Sequence, residues 1–156
     1  MEPRAFQDDI SDNYCFGCGR ENEHGLRIRS YWSGEAAVCT WQPSGFHAAG
    51  PRAVLNGGVI ATIIDCHCVC TAIAAAYRAE GRAIGSTPPI WYATASLQVT
   101  YLRPTPIGGP VLLRAEVTNA SSRKTALTCI LMAEGEERVR AEVIAVRVPA
   151  TWAGLG

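Results

Sequence analysis

The chain has 156 residues, nearly half of them apolar, which is enough for one ordinary domain and its core but not for a second. Fourteen basic residues balance fourteen acidic ones, so there is no broad electrostatic footprint for DNA or RNA. The acidic, polar start MEPRAFQDDISDNY is not a secretory leader. The longest apolar run, Val59–Ala76, is broken by Asp65 and His67 and is not expected to span a membrane. Seven cysteines in a chain of this kind read as reduced thiols of a cytoplasmic protein.

In chain order, residues 1–13 read as a loose arm, residues 14–150 as a single domain and residues 151–156 as a tail. Cys15-Phe-Gly-Cys-Gly19 is a turn-rich knot. Leu26, Ile28, Ser30 and Trp32 alternate with Arg27 and Arg29, the period of a half-buried strand. A turn at Ser33-Gly34-Glu35 leads to a second strand over Ala36–Gln42, closing a hairpin. Pro43–Ala53 is a loop containing His47. After Leu55-Asn-Gly-Gly58 comes an unbroken stretch, Val59–Ala79, that predicts one helix of about six turns. Gly81 marks its end. The helix is apolar on nearly every side, so it must be enclosed.

The remaining segments supply the wrapper. Trp91–Arg103, Val111–Ala120, Thr125–Ala133 and Val139–Val148 read as strands, and their short connections favour consecutive antiparallel pairing. A hairpin, one long buried helix and four strands fit an α+β layer fold in which an antiparallel sheet wraps a central helix, the hotdog architecture.

Chemistry is expected at the head of this helix. Its first N–H groups lack internal partners and sit at the positive end of the helix dipole, a setting suited to an oxyanion. Asn56, Gly57 and Gly58 occupy it. Their simpler role is an N-cap followed by a tight entry turn. Asp65 lies within the otherwise apolar Ile63-Ile64-Asp65, where burial makes a carboxylate a stronger base; a structural bond to a nearby threonine is the alternative. Asn56 and Asp65 are nine residues apart, so they point to opposite sides about 13 Å apart along the axis. Two antiparallel helices from two copies solve this: Asp65 of one faces Gly57 of the other, which predicts a two-fold dimer, alone or paired into a dimer of dimers.

The segment Leu55-Asn-Gly-Gly-Val-Ile-Ala-Thr-Ile-Ile-Asp65 resembles the His-Gly-Gly…Asp signature of hotdog-fold acyl-CoA thioesterases of the phenylacetate-pathway and 4-hydroxybenzoyl-CoA types. The resemblance continues through Cys15-Phe-Gly-Cys-Gly19, Gly25-Leu26 and Thr94–Pro104, covering roughly Tyr14 to Val148. It implies that the Gly57 N–H polarises the thioester carbonyl of an acyl-CoA, that Asp65 from the neighbouring copy activates a water or attacks directly, and that Thr94 orients the water. Asn56 departs from the pattern, standing where many relatives have histidine, and it does not titrate near neutral pH. His47 is the candidate to replace the missing donor; His24 and His67 are weaker candidates.

Gly58 at the helix start, with Arg103, Arg123 and Lys124 at strand ends, are the candidate CoA contacts, although each charge is also at home on a solvated surface. Trp91 and Tyr92 either line an acyl pocket or fill core. Cys15-x-x-Cys18 has the spacing of half a zinc site, and Cys66 and Cys70 lie one helical turn apart. One such pair is a weak signal; small core residues and a knot folded over the pocket edge are the expectation, with no metal and no cofactor. The leading function is thioester hydrolysis. The alternatives are a non-catalytic acyl-CoA sensor, favoured by Asn56, and an enoyl-CoA hydratase or dehydratase, kept open by His47.

Overall fold

The computed structural model describes residues 2–153. Its strands are β1 (Tyr31–Ser33), β2 (Ala36–Trp41), β3 (Trp91–Tyr101), β4 (Val111–Ala120), β5 (Lys124–Ala133) and β6 (Glu136–Val148); the single long helix is α1 (Gly57–Ala79). All pairings are antiparallel, in the order β1-β2-β4-β5-β6-β3. The sheet curls around α1, as the element order predicts.

Burial follows the two-residue strand period closely. Val111, Leu113 and Ala115 on β4, Leu127, Cys129 and Leu131 on β5, and Val139, Ala141, Val143 and Ala145 on β6 all point inward. Against them α1 lays Ile60, Ile63, Ile64, Cys68, Ile73 and Tyr77. Burying an isoleucine side chain of this kind contributes about 1.5–3 kcal/mol, which makes this interface the main source of stability. By length and its mean hydropathy of 1.9, α1 is apolar enough to cross a membrane, yet its most apolar stretch is 61% buried inside the sheet. It is therefore the core helix of this fold. Gly81 closes the helix with φ of +64°, a conformation that favours glycine.

Four expectations change. First, of the strands after the helix, β4, β5 and β6 pair consecutively as expected, but β3 does not pair with β4: it lies at the edge beside β6, and β4 sits between β2 and β5. The β3–β4 connection carries Pro104, Pro106 and Pro110, which suits a crossing segment rather than a tight hairpin. Second, the alternation at Leu26–Ser30 is real in burial but is mostly not strand. Leu26 N–H donates to Phe16 and Ile28 N–H to Gly17, so the segment bonds the knot before β1 begins. Third, the first residues are not loose. Phe6 packs on Trp32 with ring centroids 5.0 Å apart, and Phe6 N–H donates to the Ser30 carbonyl. Ala150–Ala153 form a short 3-10 turn that takes in the first three residues of the expected tail, and the rest of that tail lies outside the described residues.

The fourth difference bears on function. Within one chain α1 is not enclosed all round: Gly58, Ala61, Thr62, Asp65, Val69 and Ala76 are half-buried or exposed. At about 100° per residue they form one stripe along the helix, with Asp65 near its middle.

Candidate active site

The loop before α1 places the helix start. The His47 carbonyl accepts from Asn56 N–H at 2.9 Å, and Leu55 N–H donates to the Thr105 carbonyl at 2.9 Å. Asn56 then caps the helix: its Oδ1 accepts from Gly58 N–H at 2.8 Å and Val59 N–H at 3.1 Å. The cap leaves the Gly57 N–H, which has no acceptor within the helix, and the Asn56 Nδ2 amide, which makes no hydrogen bond among the described residues. These two donors are therefore the ones a ligand oxygen can use. Gly58, expected as a ligand contact through its backbone, instead spends its N–H on the cap.

Tyr101 is a part of this site that the sequence did not flag. Its hydroxyl, at the end of β3, donates to the Gly57 carbonyl at 2.6 Å and ties the edge strand to the helix head. Nothing in its spacing separates it from any other strand tyrosine.

Asp65 is half-buried on the open stripe. Thr94 Oγ1 donates to its Oδ1 at 2.7 Å, the bond to a nearby threonine that the structural alternative for Asp65 named. Thr94 precedes a register shift in β3 between Thr94 and Ser96, the kind of bulge that re-aims a side chain. Burial pushes the Asp65 carboxyl above the usual carboxylate range, and the Thr94 bond partly offsets this.

Asp65 and Thr94 open onto a cleft of about 390 Å³ whose apolar wall includes Val69, Ile73 and Trp91. Cys15 and Cys18 of the N-terminal knot form its other side, as expected, and Trp152 reaches it from the C-terminal turn. Tyr92 borders it but is mostly core. A groove of similar size, about 410 Å³, lies on the outer face of β3, β5 and β6, lined by Gln98, Thr128, Arg140 and Glu142. Asp65 and Thr94 line the smaller cleft and not this groove; the helix start lines neither.

The other candidates fall as follows. The His47 ring accepts from Ser44 N–H at Nδ1 (2.9 Å) and packs on Trp41 and Phe46, while burial pushes its pKa down. Its carbonyl helps place Asn56, and among the described residues its ring makes no hydrogen bond to Gly57 or Asp65. His67 is fully buried: Nδ1 pairs with Ser30 Oγ at 2.8 Å and Nε2 with the Ala37 carbonyl at 3.1 Å, with Gln7 completing the network. Burial holds its pKa down at about 4. His24 is exposed beside Glu23. Arg103 pairs with Glu136 at 2.9 Å, near the Tyr101 end of the sheet. Arg123 and Lys124 sit at the opposite end: Lys124 lies beside Val146, which lies beside Ala93. Lys124 is thus two strands, about 10 Å, from the residue preceding Thr94.

A six-stranded antiparallel sheet wrapped on one helix, with an acid midway along that helix and free donors at its start, defines a hotdog protein of the thioesterase class. The chain belongs to the Thioesterase superfamily, whose sequence profile matches residues 53–140, more than half of its length. It is 33% identical to a Thioesterase superfamily protein from Shewanella loihica, with a TM-score of 0.66 over 82% of this chain and 96% of that one. The same fold occurs in the Escherichia coli PaaI protein of the phenylacetic acid degradation operon (13% identity, TM-score 0.64, 80% and 81% of the two chains). It also occurs in a thioesterase from Haemophilus influenzae (15% identity, TM-score 0.63, 79% of each chain). No curated protein matches the chain.

Proposed function

We propose that the protein hydrolyses acyl-CoA or aryl-CoA thioesters at a composite site, in which Asp65 of one copy faces the helix start of a second. The observation that carries this reading is the Asp65 carboxylate, held at Oδ1 by Thr94 and lining an apolar cleft, with Oδ2 making no hydrogen bond among the described residues and so able to meet a water. The thioester carbonyl accepts from Gly57 N–H and Asn56 Nδ2. Asp65 takes a proton as the water oxygen bonds to the carbonyl carbon. The oxyanion is held by the two donors, the C–S bond breaks, and CoA leaves as the thiolate. This chemistry needs no metal and no redox cofactor.

Two features support the second copy. The stripe on α1 that carries Asp65 is apolar and small-residued but uncovered within the chain. β3 is an edge strand of 11 residues without proline, with one side unpaired, and such edges are normally covered. Antiparallel pairing of β3 with its twin brings the two helix stripes toward one another. Val69, Ile73 and Trp91 suit an acyl or aryl group, and Arg123 and Lys124 suit the CoA phosphates. All seven cysteines are free thiols, which suits a reducing compartment such as the cytoplasm.

A thiol-release screen across short-chain, long-chain and aryl-CoA esters, run beside a measurement of mass in solution, tests the proposal. Turnover by a dimer or tetramer is expected. Ester binding without thiol release supports a sensor instead, and a strict monomer overturns the composite site.

A further inference from the structure

The fold brings together thiols that lie far apart in the sequence and that thioester hydrolysis does not use. Cys15 and Cys18 come from the knot, and Cys66 from the first half of α1. Their three Sγ atoms all lie within 4.8 Å of one another, with Cys15 and Cys66 3.5 Å apart. A tetrahedral zinc ion with Zn–S bonds of about 2.3 Å sets its sulfurs about 3.8 Å apart, so these thiols need only small rotations to share one ion. Cys70 follows Cys66 by one helical turn, on the same face, and lines the same cleft as the three clustered thiols.

The surroundings are shaped for this convergence. Gly17 sits against α1 so tightly that a Cβ there would overlap the Cys66 sulfur, so glycine is what lets the turn deliver its thiols to the helix. Asn13, itself buried, accepts from Cys15 N–H at 3.0 Å and donates from Nδ2 to Cys18 Sγ at 3.5 Å. Outer partners that orient the ligands and donate to a ligand sulfur are the usual supports of a thiolate metal site. Cys15 is exposed, which gives an ion a way in. The three remaining cysteines, Cys39, Cys68 and Cys129, are buried in the core and belong to no such cluster.

We propose that Cys15, Cys18 and Cys66, with Cys70 as fourth ligand, form a zinc-binding site that clamps the N-terminal knot onto α1 beside Asp65. Zinc is the ion of choice because an all-sulfur tetrahedral set selects a soft, redox-inert divalent cation. Each thiol gives up its proton to solvent as its sulfur bonds the metal. The clamp fixes one side of the cleft; it takes no part in the bond-breaking steps, so the thioester reading and this one stand or fall separately.

The test uses the full chain, reduced and stripped of metal, titrated with cobalt(II) and then zinc(II). The expected result is one ion per chain, thiolate-to-cobalt charge-transfer bands that zinc abolishes, and a zinc-dependent rise in melting temperature. Cys15→Ala, at an exposed position that leaves the core intact, is expected to weaken binding more than about a hundredfold and to lose the thermal shift. Asn13→Ala weakens it less, and Cys129→Ala leaves it unchanged. The proposal is overturned by absence of cobalt–thiolate bands in folded wild type, by equal zinc affinity in Cys15→Ala, or by a Cys15–Cys66 disulfide that persists under reducing conditions in place of metal binding.

Discussion

Replacing Asp65 with asparagine separates a catalytic carboxylate from a structural one. Asparagine has nearly the same shape, and its Oδ1 still accepts the Thr94 hydroxyl that now donates to Asp65 at 2.7 Å. The bond weakens from a charged to a neutral one, a loss of about 1–2 kcal/mol. Against this, a half-buried carboxylate is replaced by a neutral amide, which removes the desolvation that pushes the Asp65 carboxyl up. The two effects oppose one another, so stability is expected to change by no more than about 1 kcal/mol, or about 2–4 °C for a chain of this size. Activity has no such offset. A general base contributes about 10²–10⁴-fold, or about 2.7–5.4 kcal/mol of transition-state stabilisation. Asp65→Asn is therefore expected to lower kcat at least a hundredfold in a thiol-release assay while its melting temperature stays close to wild type. Retention of activity within about tenfold, or a loss of activity matched by unfolding, would refute the reasoning.

Asn56→Asp keeps an oxygen to cap Gly58 and Val59 but removes the amide donor and sets a negative charge where the oxyanion forms; kcat is expected to fall about 10²–10³-fold with the melting temperature retained. Asn56→Ala removes the cap as well, and urea titration is expected to show a loss of about 1 kcal/mol. Tyr101→Phe loses only the hydroxyl bond to the Gly57 carbonyl, and kcat/KM is expected to fall about fivefold, corresponding to about 1 kcal/mol. His67 is held neutral down to a pKa of about 4 against an ordinary 6.5. The unfolded chain therefore binds the extra proton first: the contribution is complete above pH 6.5 and is lost as pH falls toward 4, by about 3 kcal/mol. Denaturant midpoints across this window, with the His67 imidazole followed by NMR, check it.

The helix and most of the strands were legible in the residues because each follows a simple period. The run after Asn56 lacks glycine and proline once past Gly58, and β4, β5 and β6 alternate inward and outward residues along nearly their whole length. Short connections gave the β1–β2 hairpin and the consecutive pairing of β4, β5 and β6. They did not give the place of β3, because alternation says which face a residue takes but not which neighbour its strand has, and the edge position of β3 depends on a proline-rich crossing that short-connection reasoning misreads. Leu26–Ser30 shows the same limit, with a strand's burial pattern and a knot's hydrogen bonds. At the site, Asp65 stood out as a charge in an apolar helix; the family pattern gave Thr94 the orienting of a water, while its bond to Asp65 is the threonine partner that the structural alternative for Asp65 named. Tyr101 acts through its hydroxyl on a backbone carbonyl, and a lone strand tyrosine carries no mark of that. His47 was the candidate donor because it lies in the loop before the helix; its Nδ1 accepts from Ser44, which puts its one ring proton on Nε2, and its ring packs on two aromatic neighbours. The thiol cluster needed the knot's exact placement on α1, which only the fold supplies.

Mixing two inactive variants tests the composite site most directly. Asp65→Asn and Asn56→Asp proteins are each inactive as homodimers, but in a mixed dimer one of the two sites has an unaltered Asp65 opposite an unaltered helix start. Random exchange makes half the dimers mixed with one good site each, so activity is expected to return to roughly a quarter of wild type. If each site lies within a single protomer, every site in the mixture carries one of the two defects, and activity that stays at the level of the separate variants contradicts the account.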